Sequence, residues 1–224
     1  YSQEVRMAGM NLFLNLASTY FILKLLDEKR LNLLSSKLSG LLKDRVFYGY
    51  VLFTSAALYT HYFSFFILAA QLLFIISVNK KALKQYRPFM IIYSAIVLIY
   101  LFWIPPFKDH LMRGQSWRSP QTFAQIGTEY LNYLKDMNLG LYYHYTNLEV
   151  IKYLTVFLLI VFIISASGLV FRKKESANSS LTLILLIVIV PLVLAGLISI
   201  KQKIEFYRYL SILVPYILIL VVFG

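Results

Sequence analysis

Apolar residues in this chain gather in long runs separated by short polar stretches. The runs cover 9–26, 46–78, 88–103, 150–171 and 181–200, with a last one closing the chain toward 224. A helix crossing a bilayer needs about 20 such residues. The run 46–78 has 33 residues and no Asp, Glu, Lys or Arg, which as one helix would reach about 50 Å. Its length predicts two short spans that turn at Tyr59-Thr60-His61-Tyr62. Pro88 stands where a helix can begin, and Pro105-Pro106 is expected to end the same span. Pro191 predicts a kink inside the run 181–200. The pattern therefore predicts an all-α, polytopic transmembrane helical bundle of about seven spans.

The polar stretches orient this bundle. The stretch 27–45 carries Lys29, Arg30, Lys37, Lys43 and Arg45, and its leucines recur at roughly helical spacing, as in a basic helix lying on a membrane. Lys80, Lys81, Lys84 and Arg87 fill a second basic loop, and Arg172, Lys173 and Lys174 a third. Splitting the long run puts these three loops on one side, which the positive-inside rule makes cytoplasmic. The N-terminus, the 59–62 turn, the stretch 105–149 and the bridge 201–208 then share the other face. The stretch 105–149 is the longest polar segment, an extracytoplasmic loop with an amphipathic patch near 120–137. The whole of 1–224 reads as a single transmembrane domain. Entry directly into a helix at Tyr1, and a last run ending at Gly224, read as an internal fragment of a larger membrane protein.

Composition agrees with the pattern. Hydrophobic residues make up 59% of the chain and charged ones 14%, where a soluble domain has about 25% charged; mean hydropathy is +0.69. The net charge of +12 fits cytoplasmic loops and anionic lipid rather than nucleic acid. No cysteine is present, which rules out disulfides and thiolate metal sites within these residues. No GxSxG, Walker loop or GxGxxG occurs, so soluble hydrolase, ATPase and dinucleotide readings fail.

Ionisable groups at membrane depth are costly and call for pairing or function. Glu4 and Arg6 stand at the mouth of the first span. They suit a helix cap or interfacial salt bridge, or else an acid beside a reacting hydroxyl with an Arg for a phosphate. His61, with Tyr59, Thr60 and Tyr62 around it, suits a wet polar turn or a catalytic corner. Arg208, between Tyr207 and Tyr209, is an interfacial anchor or a lipid-phosphate ligand. Lys201, Lys203 and Glu205 suit solvated charges. His110 and His144 lack HxxxH or HExxH spacing, which gives metal binding little support.

Tyr1-Ser2-Gln3-Glu4-Val5-Arg6-Met7 entering an apolar helix resembles the YSQEaRmY segment of GT-C polytopic glycosyltransferases of the protein O-mannosyltransferase type (glycosyltransferase family 39). Leu58-Tyr59-Thr60-His61-Tyr62-Phe63 resembles the ythyf segment that follows in bacterial and archaeal members. Phe206-Tyr207-Arg208-Tyr209-Leu210, with Pro215 beyond, is similar to their late RYL…P segment. Met7-Ala8 departs from the usual Met-Tyr. The resemblance implies a hexosyltransferase, a mannosyltransferase among the possibilities. It would move a sugar from a polyprenyl-phosphate donor to a hydroxyl of an acceptor protein, lipid or glycan on the extracytoplasmic face of a prokaryotic cell membrane. It implies that Glu4 is an accessory acid, and that Arg6, His61, Tyr62, Arg208 and Tyr209 contact substrate. His61 occupies the place where related aminoarabinose transferases carry a Lys beside the donor phosphate. The primary Asp base would lie upstream of Tyr1, so this segment alone is expected to be inactive. No cofactor is implied, and a divalent metal at Glu4 stays open. A non-enzymatic transporter or scaffold subunit is the competing expectation. Against the transporter stand the lack of a visible inverted repeat and the placing of polar residues at span ends.

Overall fold

The computed structural model describes residues 2–26, 40, 43–78, 83–112, 119–139, 175–201 and 210–223. It is all-helical, with no strand among the described residues. The chain forms two compact units, 1–115 and 116–224.

In the first unit, α1 (Ser2–Leu25) packs on α2 (Arg45–Thr60), which is followed by α3 (Ser64–Val78) and α4 (Leu83–Tyr100). The break in the long apolar run falls at 61–63, as the length of the run predicts. The Asp44 side chain caps α2 by accepting from the Val46 N–H at 2.9 Å. At the other end His61 turns to an extended backbone, φ −158° and ψ 135°. Its N–H still bonds to the Ala57 carbonyl at 3.0 Å, and Ser64 N–H closes on the His61 carbonyl at 3.0 Å to start α3.

Contacts along the helices fix their directions. Ser18 meets Thr54, and Phe21 lies against Gly49, so α1 runs antiparallel to α2. Tyr50 meets Gln71 across the α2–α3 hairpin. Tyr59 on α2 donates to the Ile99 carbonyl of α4 at 2.6 Å, with Tyr50 facing Tyr93 further along, so these two helices run parallel. The start of α1, the 61–63 turn and the end of α4 thus share one end of the unit. The opposite end carries Lys24, Lys43, Arg45 and Arg87. Close approach of α1 and α2 needs Gly49, where an added Cβ would stand 2.5 Å from the Phe21 ring.

Two expectations about prolines shift. Pro88 lies inside α4, which begins a turn earlier at Leu83. The carbonyl it leaves without an amide, four residues back, falls in the first turn of the helix. Pro105-Pro106 does not stop the chain's helicity. After a 3-10 turn (Leu101–Trp103) the two prolines occupy the first turn of α5 (Ile104–Met112), where their missing N–H groups have no helical partner to lose.

The second unit contains α6 (Phe123–Leu139), α7 (Glu175–Ser199), a 3-10 turn (Leu210–Leu213) and α8 (Val214–Phe223). The α6 helix falls on the amphipathic patch read from sequence. α7 begins inside the expected polar loop and contains Pro191. It packs on α8 and on the 3-10 turn, and Leu183 and Ile187 of α7, Leu213 of the turn and Tyr216 of α8 are all at most 1% exposed. Two helical stretches, Arg87–Pro106 and Ser180–Ser199, are long and apolar enough to cross a membrane, and Ser64–Ser77 is a shorter apolar helix. The expected basic helix over 27–45, apart from residues 40 and 43–45, and the span 150–171 lie outside the described residues.

Candidate functional site

The first unit encloses a continuous chain of neutral polar side chains. Near the shared end, Ser64 Oγ donates to Asn11 Oδ1 at 2.8 Å. Asn15 Nδ2 donates to Asn11 Oδ1 at 2.9 Å and to Ser64 Oγ at 3.1 Å, closing a triangle. It also reaches the Asn11 carbonyl at 2.8 Å. One turn further, Thr19 Oγ1 bonds back to the Asn15 carbonyl at 2.9 Å. Gln71 Nε2 donates to Ser18 Oγ and Thr19 Oγ1, each at 3.3 Å, and Ser18 Oγ lies 2.8 Å from Thr54 Oγ1. Tyr50 completes the line, donating to Gln71 Oε1 at 2.7 Å with Tyr93 O–H at 3.4 Å. Gln71 is 0% exposed, and Asn11, Asn15, Ser18, Thr19 and Thr54 are also buried. Buried polar groups are tolerated when partnered, and in a lipid-facing bundle such bonds hold helices together.

This line was not anticipated. The expectation that polar residues stand at span ends does not extend to these buried amides and hydroxyls, which run along α1 and into α2 and α3. A signal was present: Asn11, Asn15, Ser18 and Thr19 recur at i, i+4, i+7 and i+8, one face of a helix.

The polar line ends at the turn that carries His61. His61 Nδ1 accepts from the Phe63 N–H at 3.2 Å. A neutral imidazole with Nδ1 accepting carries its proton on Nε2, which makes Nε2–H a donor. Burial pushes the His61 pKa below its ordinary 6.5 and favours this neutral form. Aromatic rings surround the turn. The Phe63 ring lies 5.5 Å from His61 and 4.7 Å from Phe66; Tyr59 packs at 5.6 Å on Tyr100 and at 5.4 Å on Trp103. The Tyr59–Ile99 bond falls where α4 tightens into the 3-10 turn, a place where carbonyls lose their i+4 amides.

Glu4 and Arg6 lie in the first two turns of α1, where the structure describes the backbone alone. The shared end of the unit therefore brings the α1 entrance and the His61–Tyr62 turn together at the level of helix placement. Arg208, Tyr209 and His144 lie outside the described residues, and His110 lies in α5 with only its backbone described.

A second polar contact belongs to the other unit. Tyr130 of α6 donates its hydroxyl to the Leu192 carbonyl of α7. Burial raises the Tyr130 pKa, and the nearby Gly196 backbone pulls it the other way. A Cβ on Gly196 would come 2.6 Å from the Tyr130 hydroxyl oxygen, so the contact requires glycine. Gln121 N–H adds a bond to the Ser199 carbonyl at 3.1 Å, at the helix end where carbonyls lack intrahelical partners.

Comparison with protein families, with curated proteins and with solved structures finds no match for this chain.

Proposed function

We propose that this chain is part of a multi-pass membrane glycosyltransferase that moves a sugar from a polyprenyl-phosphate donor to an acceptor hydroxyl. The observation that supports the reading most is the common end of the first unit. Two separate motifs of the resemblance, the Glu4–Arg6 entrance and the His61–Tyr62 turn, fall there. The apolar helices add support, because Val97, Leu98 and Phe102 of the stretch Arg87–Pro106 are exposed, as lipid-facing residues are.

In the proposed chemistry the donor phosphate sits at this end with its tail in lipid. Arg6 and the His61 Nε2–H hold phosphate oxygens and stabilise the leaving group. The acceptor oxygen attacks the anomeric carbon in line and forms the new C–O bond. The bond to the phosphate oxygen breaks, its electrons leave with the phosphate, and the acceptor proton goes to a carboxylate. Glu4 assists as the accessory acid, and Tyr62 lines the site. The primary base lies upstream of Tyr1 in this reading, and Arg208 and Tyr209 enter it from the resemblance alone. The proposed face is extracytoplasmic.

The test is transfer from radiolabelled polyprenyl-phosphate sugar by the full-length protein. Glu4→Gln, Arg6→Ala and Arg208→Ala are each expected to lower transfer about a hundredfold. Unchanged transfer in all three removes the site. The completeness of the buried polar line favours a second reading, a scaffold subunit held by interhelical hydrogen bonds. A well-folded full-length protein with no transfer and a stable complex with another membrane protein would support that reading.

A further inference from the structure

We infer that Ser64 and Asn11 are positioning residues that set the α1 entrance against the His61 turn; the inference rests on the proposed transfer site. Ser64 is the link. Its backbone N–H bonds to the His61 carbonyl at 3.0 Å. Its side chain donates to Asn11 Oδ1 at 2.8 Å and accepts from Asn15 Nδ2 at 3.1 Å. One residue therefore holds the turn with its main chain and α1 with its side chain. Asn11 lies seven residues after Glu4, two helical turns or about 10 Å along α1. The closed triangle fixes axial register as well as contact. A slide of α1 by one residue, about 1.5 Å, would disrupt both interhelical bonds of the triangle, those from Ser64 to Asn11 and Asn15, at once. Apolar packing has no such directionality. Ser64 and Asn15 are each 2% exposed and Asn11 3%, so water does not compete for these bonds. None of the three is charged, and the reacting chemistry does not use them.

The role predicts a rate effect out of proportion to the single bond removed, because a misplacement of about 1 Å can cost about a hundredfold in rate. The test combines two readouts on the full-length protein. The first is kcat and donor KM for Ser64→Ala, Asn11→Leu and Ser64→Thr. The second is the distance between spin labels at Met7→Cys and Tyr62→Cys. The 224 residues contain no native cysteine to interfere, and the labels are placed in protein with no other cysteine. Ser64→Ala and Asn11→Leu are expected to lower kcat by tenfold or more, roughly, with donor KM within about twofold. The label distance should shift or broaden in both. Ser64→Thr keeps the hydroxyl and is expected to restore both readouts. Thr54→Val, which removes a bond two turns deeper, is the control and should leave the distance unchanged. If the distance is unchanged in Ser64→Ala, or kcat is unchanged in an active protein, the inference is overturned. If the natural protein transfers no sugar, the proposed function fails, and the distance measurement still decides whether the triangle positions the two segments.

Discussion

The two units hold their helices by different means. In the first, α1 to α4 share a line of side-chain hydrogen bonds that passes through Asn11, Asn15, Ser18, Thr19, Gln71 and Tyr50. In the second, α7 and α8 pack with buried apolar side chains, and α6 meets α7 through the Tyr130 hydroxyl on the Leu192 carbonyl, with Gln121 N–H on the Ser199 carbonyl beside it. A distributed network divides its contribution among several bonds between helices. Tyr130 gathers its contribution at one place on α7, beside Gly196. The first arrangement suits a part of the molecule that must keep register between helices, and the second suits a helix docked on a surface.

The sharpest way to break the first unit is steric rather than polar. Gly49→Leu drives a side chain into Phe21, which is stacked on Phe53 with an interplanar angle of 15°. The expected loss is about 3 kcal/mol, at the upper end for overpacking, read as denaturant or thermal unfolding in detergent. Gln71→Leu comes next. It strips partners from Tyr50, Ser18 and Thr19 together, and about 2 kcal/mol should be lost. A loss no greater than that of one bond would show that the network rearranges freely.

Smaller effects separate the units. Tyr130→Phe removes the α6 anchor and should cost about 1 kcal/mol, localised as faster amide exchange over 123–139 with α7 unchanged. Global unfolding in that variant would contradict a local role for Tyr130. Thr54→Val should cost only about 0.6 kcal/mol, the mean for one bond between membrane helices. His61 gives the gentlest effect. Its folded pKa lies below the ordinary 6.5 because burial disfavours the cation. The unfolded chain then binds the proton first, so the stabilisation is present above pH 6.5 and is lost as pH falls through the folded value. Thermal unfolding scanned downward from pH 7 should show this slope in the natural chain and lose it in His61→Asn.

Length alone made the α2–α3 break legible, since 33 uncharged residues exceed one crossing. The start of α4 and the survival of helix past Pro105 were not legible. Proline's cost depends on its place within a helix turn, and neighbouring residues decide where that turn begins. The polar line escaped a hydropathy reading because Asn, Ser, Thr and Gln are diluted by the apolar residues beside them. Which of them meet across helices is a tertiary fact; only the stripe on α1 was visible in one dimension. For the proposed site, the sequence carried His61 and the entrance motif, while the Ser64 link between them depends on α1 and α3 being parallel neighbours.

We propose that the α1 entrance and the His61 turn form one lipid-phosphate site. Photocrosslinking with a radiolabelled polyprenyl phosphate that carries a photoreactive group next to the phosphate tests it directly on the full-length protein. The account predicts labelled peptides from 1–10 and 59–66, with labelling competed by unmodified polyprenyl phosphate and reduced in Arg6→Ala. Competed labelling confined to other segments, with neither of these two peptides carrying label, would contradict it.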